Sequence, residues 1–352
     1  MQFLFRKTRT QVHSSQAEKA QRARGYAAAA RAMAAVQLGT QLVLWVFFYG
    51  YDLSAQAVWQ AAIMLLLPLF VLWLVWRGAA TEHPAAKWLM LPLLLCLMAD
   101  AVFMITVLGG FISQLVPHDR SWVGVALPAA FCWLTAYCAR PRGVRYGSAV
   151  LVVPLVAMLL FSTIFLRASS RADRLWPILG DGLFSTARSA LTGTGAAWGA
   201  ALLFVLAQKQ QTKQKTAGWI VLPWAVCFII ALWFGFLRPW APGDNLAIAE
   251  KMMGLSRHAH SVILYEISGV LWMLLVPASL SACFCTGGEM IRRAFPRIPS
   301  WAALLPVPIA AVATALLWPE DIFAILGVIL PWRWVLSLLC GLGLLILNRR
   351  RA

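Results

Sequence analysis

Long unbroken apolar stretches divide this chain, and they restrict its possible folds more than any motif does. Cutting the sequence at charged and Pro/Gly-rich breaks leaves about ten stretches, each about as long as, or longer than, the roughly 20 residues that a helix needs to cross a bilayer. Their approximate bounds are 27–50, 55–76, 87–116, 121–139, 146–167, 180–207, 217–237, 260–291, 300–318 and 322–347. Blocks of this length suit helical spans rather than the short alternating segments of barrel strands. The sequence therefore predicts an all-α polytopic membrane protein.

The composition agrees with a protein that uses lipid as its solvent, since 61% of the residues are hydrophobic and 12% are charged. Lys and Arg outnumber Asp and Glu by 30 to 13, which gives a formal net charge of +17. Such an excess also occurs in nucleic-acid-binding proteins, but here the basic residues are dispersed between the spans. This dispersion is typical of loops that face an anionic cytoplasmic leaflet. We expect the lipid bilayer, and no nucleic acid, as a partner.

The charges between the spans predict the orientation of the chain. Placing the N-terminus in the cytoplasm puts a basic cluster in every inner connection. These clusters are Arg77 with Lys87; Arg140, Arg142 and Arg145; Lys209, Lys213 and Lys215; Arg292, Arg293 and Arg297; and Arg349 to Arg351. Residues 1–25 are polar for too long to be a signal peptide and are predicted to form a cytoplasmic basic tail. Residues 26–352 form the predicted transmembrane domain, with both termini cytoplasmic.

Ten spans with both ends inside divide into two groups of five, 27–167 and 180–347, that start in opposite orientations. This arrangement predicts a five-plus-five inverted repeat. Each half opens with a span that small residues interrupt: Gly39-Thr40-Gln41 in the first and Thr192-Gly193-Thr194-Gly195 in the sixth. Corresponding interruptions in two halves point to a binding site at the membrane midplane of a secondary transporter. We therefore predict discontinuous helices 1 and 6.

The residues at these breaks form the predicted ligand site. Free N–H groups after Gly39 suit a carboxylate, and unwound carbonyl groups near Thr192 and Gly193 suit an ammonium group, so that a zwitterionic amino acid matches both. Trp198 would form an apolar wall or gate over the ligand. The alternative is that Gly and Thr act only in helix packing and that Trp198 is a packing or interfacial residue.

Two acidic residues lie well inside predicted spans. Asp100 is near the middle of the third span, and Glu266 lies beside Tyr265 in the eighth. A charge at such depth is unfavourable unless it is paired or hydrated, so these residues are candidates for ion or proton coupling. The alternative is a neutral carboxyl group that bonds to a neighbouring helix.

Other chemistry is poorly represented in the sequence. The seven cysteines fall mostly in spans, which favours small buried residues, and His258-Ala-His260 is a weak pattern for a metal site. Neither acidic candidate has an evident partner His, nucleophile or metal-binding motif. We therefore predict no enzyme activity, no cofactor and no metal. The segment 238–260 contains a short amphipathic stretch that would act as a lid or rest in the interface.

From about Leu95 to the C-terminus, five stretches in order resemble the permease-like B subunits of bacterial spore germinant receptors, in the amino acid–polyamine–organocation transporter superfamily. They are Tyr137-Cys-Ala-Arg-Pro-Arg-Gly143, Leu175-Trp-Pro-Ile-Leu-Gly-Asp-Gly182, Trp233-Phe-Gly235, Glu266-Ile-Ser-Gly-Val-Leu-Trp272 and Trp318-Pro-Glu-Asp-Ile-Phe323. The resemblance implies a ten-helix inverted-repeat fold with a midplane pocket for an amino acid or similar nutrient. It also implies a complex with other receptor subunits in the spore inner membrane, a bacterial cytoplasmic membrane.

Besides an integral-membrane enzyme, which the missing reactive groups disfavour, three functional hypotheses follow from the sequence. The first is a nutrient-sensing receptor subunit on a transporter scaffold, in which the ligand stabilises one of two conformations. The second is an amino-acid permease with the same fold. The third is a structural partner whose interrupted spans serve only for packing.

Overall fold

The computed structural model of the chain describes Leu74 and residues 85–115, 121–166, 182–185, 262–317 and 322–349. Its helices are α1 (Ala86–Leu115), α2 (Ser121–Leu166), α3 (Val262–Ala294), α4 (Ser300–Ala303), α5 (Pro306–Leu317) and α6 (Ile322–Arg349). No strand occurs within these ranges. The predicted spans 87–116, 260–291 and 322–347 correspond to α1, α3 and α6 within a few residues. The predicted spans 27–50, 55–76, 180–207 and 217–237 lie wholly or almost wholly outside the described residues.

The predicted span 300–318 is divided by a turn at Leu304 and Leu305, between α4 and α5. The N–H groups of both turn residues donate to carbonyl groups three residues earlier, Trp301 at 3.3 Å and Ala302 at 3.3 Å. Pro306 then occupies the first position of α5, where its missing N–H costs no hydrogen bond. The two short helices together remain long and apolar enough to cross a membrane.

The predicted spans 121–139 and 146–167 are joined by a sharp break instead of a six-residue loop. Both lie within α2, which is interrupted at Arg140 by a φ of 55° and a ψ of 173°. The extended ψ suits a residue that precedes proline, here Pro141. The positive φ is unfavourable for a residue with a Cβ atom. Arg140 therefore stores backbone strain at the point where the chain changes direction.

Replacing Arg140 with glycine should relieve this strain. Because the Arg140 side chain is exposed, we expect Arg140→Gly to raise stability by about 1 kcal/mol. The measurement is the thermal unfolding midpoint of the detergent-purified protein. Arg140→Ala is the matched control, since it removes the same charge but keeps a Cβ atom. An equal gain in both variants would assign the effect to the charge and contradict the strain argument.

Helix α1 lies at the centre of the described bundle and packs against α2, α3, α5 and α6. Leu93, Leu97, Met104 and Ile105 of α1 are fully buried. The neighbouring α3 carries two adjacent glycines, Gly287 and Gly288, where other helices approach closely. Small residues at helix interfaces let helices pack tightly in lipid, where there is no hydrophobic force between them. α1, α3, α4 and α5 thus form a tightly packed core.

The outer surface of the bundle is apolar. Along α6 the exposed large side chains recur at helical spacing on one face: Trp332, Val335, Leu336, Leu339, Leu342 and Ile346. Four described stretches are long and apolar enough to span a bilayer: Ala86–Thr106, Trp122–Arg140, Leu274–Ala294 and Ser300–Leu317. The prediction of an all-α polytopic membrane protein is confirmed.

Candidate functional site

A buried ion pair joins α1 to α6. Arg333 of α6 donates a hydrogen bond from Nη1 to Oδ1 of Asp100 in α1, although the two residues lie 233 positions apart in the sequence. Asp100 is 0% exposed and Arg333 is 3% exposed. Both charges therefore lie in the interior of the bundle, between two apolar helices.

The helical period directs Arg333 inward. Among the α6 side chains that the structure describes, the buried positions are Arg333, Ser337, Cys340, Gly341 and Leu344, and they alternate with the exposed apolar residues of the opposite face. Trp332 and Val335 flank the arginine on the outer side and are 66% and 49% exposed. A membrane helix with this pattern shows its large apolar side chains to lipid and its polar and small ones to the protein.

Two smaller polar residues accompany the pair. Cys96 lies one turn before Asp100 on α1, and its Sγ donates to the backbone carbonyl of Arg333 at 3.7 Å. Ser337 lies one turn after Arg333 on α6 and is 1% exposed. The Leu89 side chain lies against Gly343, and Asp100 lies against Arg333. Because the later residue of α1 contacts the earlier residue of α6, the two helices run antiparallel. We call Cys96, Asp100, Arg333 and Ser337 the polar seam.

The hydrogen-bonding groups of the polar seam are only partly satisfied. Within the described part of the chain, Oδ2 of Asp100 and Oγ of Ser337 are buried without a hydrogen-bond partner. A buried polar atom without a partner loses about 1–3 kcal/mol relative to its state in water. The seam therefore offers one carboxylate oxygen and one hydroxyl group to any proton donor that reaches it.

Sequence reasoning found Asp100 but missed Arg333. The structure places Asp100 in the interior and bonds it to a neighbouring helix, as the alternative interpretation expected, but its partner is a guanidinium group. The signal for Arg333 was its position inside the predicted span 322–347, since an ionisable residue within a span marks a pair or a site. The role of Asp100 in coupling remains a prediction.

The other predicted site residues are not brought to this pair by the described structure. Tyr265 and Glu266 lie in the first two turns of α3, where the side chains are outside the described residues. The predicted ligand-binding residues also lie outside them: Gly39, Thr40, Gln41, Thr192, Gly193, Thr194, Gly195 and Trp198.

The cysteines act mainly as small interior residues. Cys96, Cys132, Cys283, Cys285 and Cys340 are buried, whereas Cys138 is exposed and Cys227 lies outside the described residues. Cys285 donates from Sγ to the Ala136 carbonyl at 3.6 Å, and Ser281 donates from Oγ to the Cys132 carbonyl at 3.1 Å. These bonds fasten α3 to α2 through backbone acceptors, as small polar side chains do between membrane helices.

Comparison with known proteins defines the fold. No protein-family model matches this sequence, and no curated protein matches it either. The solved structure of MHP1, a nucleobase-cation-symport-1 family transporter in a closed conformation with bromovinylhydantoin bound, is similar with a TM-score of 0.56 and 12% identity. The match covers 93% of this chain and 91% of that one. A mutant of the Eremococcus coleocola manganese transporter gives a TM-score of 0.48 at 16% identity, over 90% of this chain and 76% of that chain.

The chain is a multi-pass α-helical membrane protein with a transporter fold. The likeness to MHP1 extends over nearly the whole length of both chains and establishes the predicted fold class. At this level of identity it defines the architecture alone, and the solute and partners of this protein have to be inferred from its own residues.

Proposed function

We propose that this protein is a permease that carries a small amino-acid-like solute across a bacterial cytoplasmic membrane. The main support is the transporter fold, which matches that of MHP1 over 93% of the chain. MHP1 is a nucleobase-cation-symport-1 family transporter, and its solved structure holds bromovinylhydantoin. A fold of this kind hosts many solutes, so the proposed solute class depends on the predicted binding residues.

The proposed solute site lies at the membrane midplane, between the two interrupted spans. Gly39, Thr40 and Gln41 would supply N–H groups for the solute carboxylate, and Thr192 to Gly195 would supply carbonyl groups for its ammonium group. Trp198 would cover the apolar side of the solute. Asp100, Glu266 and Tyr265 are the proposed coupling residues.

A second candidate is the nutrient-sensing subunit of a spore germinant receptor. One observation favours it: the Asp100 carboxylate is paired with Arg333, and so is less available to bind a coupling cation. A sensor needs a ligand that binds two conformations with different affinity, without net flux. The ordered resemblance from Leu95 onward supports the same candidate, with companion receptor subunits as partners in the spore inner membrane.

Uptake by the purified chain in proteoliposomes tests the proposed function. We expect labelled amino acids to accumulate, and we expect the double variant Gly193→Leu/Gly195→Leu to reduce uptake by about tenfold or more, because bulky side chains would fill the site and misplace the solute. The matched control is Gly147→Leu, at an exposed glycine of α2 where an added Cβ atom meets no other atom within 4 Å. The control should retain the uptake of the unmodified protein.

Ligand binding separates the two candidates. Thermal-shift measurements on the same preparation report binding through stabilisation, independently of flux. Stabilisation without uptake would support the sensor and contradict the permease. Neither binding nor uptake for any amino acid would contradict both. Full uptake by the variant with leucine at positions 193 and 195 would contradict the proposed site.

A further inference from the structure

The two sides of α1 are packed in different ways. Toward α3 and α5, the contacts are apolar and close: a Cβ atom added at Gly287 would lie 2.4 Å from Cγ2 of Val307 and 3.4 Å from Cδ2 of Leu97. Toward α6, Leu89 of α1 also packs closely on Gly343, but here α1 presents in addition Cys96 and Asp100 to Arg333. Interiors packed at high density resist displacement, whereas polar groups can exchange their partners for water. The interface of α1 with α6 is therefore the one whose polar groups could exchange their partners for water if the two helices separated.

The closed interface leaves favourable interactions unused. Asp100 Oδ2 and Ser337 Oγ have no partner in the described structure, and a partly satisfied polar network is less stable than an apolar one of the same shape. Any arrangement that hydrates these two atoms regains their hydrogen bonds. This gain partly offsets the loss of the ion pair when the helices separate, so the free-energy difference between closed and open states is reduced.

Stability alone does not account for a charge pair at this position. A buried ion pair usually contributes no more to stability than apolar residues of similar volume would. Breaking it by removing one partner is nevertheless strongly unfavourable, because the other charge stays buried. A pair with these properties has little effect on the total stability of the fold but strongly determines which arrangement of the two helices is populated.

We propose that the Asp100–Arg333 pair is a latch that holds α6 against α1 and opens during the transport cycle, with Arg333 as the positioning residue. The proposal rests on the proposed function, since it assigns to this pair the change between two conformations of a permease. Asp100 belongs to the first predicted repeat and Arg333 to the second. The latch therefore joins the two halves whose relative movement would expose the solute site.

Thiol labelling tests the latch without any solute. Cys96 lies in the polar seam, and Cys340 lies one turn beyond Ser337 on the same buried face of α6; they are 3% and 4% exposed. Cys283 and Cys285 of α3 lie in the tightly packed core and are 0% and 2% exposed. In proteoliposomes, a water-soluble maleimide followed by mass spectrometry of each cysteine-containing peptide reports how often each region opens.

Two variants should move the labelling in opposite directions. Arg333→Lys keeps the positive charge but loses the planar guanidinium group and its fixed set of N–H donors. We expect Cys96 and Cys340 to be labelled about tenfold faster, equivalent to ~1.4 kcal/mol. The labelling rates of Cys283 and Cys285 should not change. The double variant Asp100→Leu/Arg333→Met replaces the pair with apolar side chains. It should fold, label Cys96 and Cys340 more slowly than the unmodified protein, and lose uptake because the helices no longer separate.

The control is Glu289→Gln, which removes a carboxylate that bonds Nε of Arg293 at 3.4 Å near the end of α3. It should leave all four labelling rates unchanged. Equal acceleration of all four cysteines in Arg333→Lys would make the pair a general structural contact and overturn the latch. Normal uptake by the apolar double variant would also overturn it. Absence of uptake by the unmodified protein would contradict the permease instead, because the labelling experiment does not depend on flux.

Discussion

Replacing Arg333 with methionine alone is expected to lower the free energy of unfolding by about 3–5 kcal/mol. The variant leaves the carboxylate of Asp100 at 0% exposure without the guanidinium that neutralises it. Neither lipid nor the apolar side chains nearby can solvate that charge. Reversible unfolding in increasing mole fractions of SDS, followed by circular dichroism, measures the free energy.

The double variant Asp100→Leu/Arg333→Met distinguishes two causes of destabilisation: the unpaired charge and the lost side-chain volume. Because both charges are removed, we expect it to recover most of the lost stability, with a coupling free energy of about 3 kcal/mol between the two positions. Glu289→Gln should change stability by less than about 1 kcal/mol, since its ion pairs at the end of α3 are partly exposed. A double variant as unstable as Arg333→Met would show that the cost comes from packing and not from an unpaired charge.

The sequence was sufficient to locate the spans but not to pair them. Length and apolar content predicted α1, α3 and α6 within a few residues, because both properties are local and the bilayer fixes their scale. The depth of Asp100 was likewise a local property. Its partner was not, because a contact between residues 233 positions apart depends on how α1 and α6 pack.

Part of the missing information was nevertheless present in the pattern of α6. Its large apolar residues occupy one face, and Arg333, Ser337 and Cys340 occupy the other. A helical projection of the predicted span 322–347 would have turned the arginine toward the protein and made it the natural partner for a buried acid. The turn between α4 and α5 had a similar local signal in Pro306 and Pro308, which cannot donate backbone hydrogen bonds.

The packing of α3 could not be read in the same way. Gly287 and Gly288 follow a run of small residues within a predicted span, and such residues favour a helix interface without naming the partner helix. Only the structure identifies Val307 and Leu304 as the side chains that occupy the space left by the two missing Cβ atoms. The sequence therefore predicts that α3 packs closely against another helix, but only the tertiary structure identifies that helix.

Gly287→Leu should be one of the two most disruptive single substitutions in the described core, together with Arg333→Met. Its Cβ atom would lie 2.4 Å from Cγ2 of Val307 and 3.5 Å from Cδ1 of Leu94, so the leucine cannot fit unless α5 moves away from α3. Overpacking of a well-packed interior usually lowers the free energy of unfolding by about 1–3 kcal/mol. Because Gly287→Leu would also displace a helix, we expect a loss at or above the upper end of this range. SDS unfolding measures the loss, and Gly147→Leu, where an added Cβ atom meets nothing within 4 Å, is the control.

A double-mutant cycle identifies the clash. Gly287→Ala introduces only the Cβ atom, and Val307→Ala removes Cγ2, the methyl group that this atom would meet at 2.4 Å, so the combined variant should be more stable than the sum of the single effects predicts. We expect a favourable coupling of about 1 kcal/mol or more, within the range for residues in direct contact. Strict additivity would mean that α3 and α5 do not approach at Gly287, and the tightly packed core on which the latch depends would then be wrong.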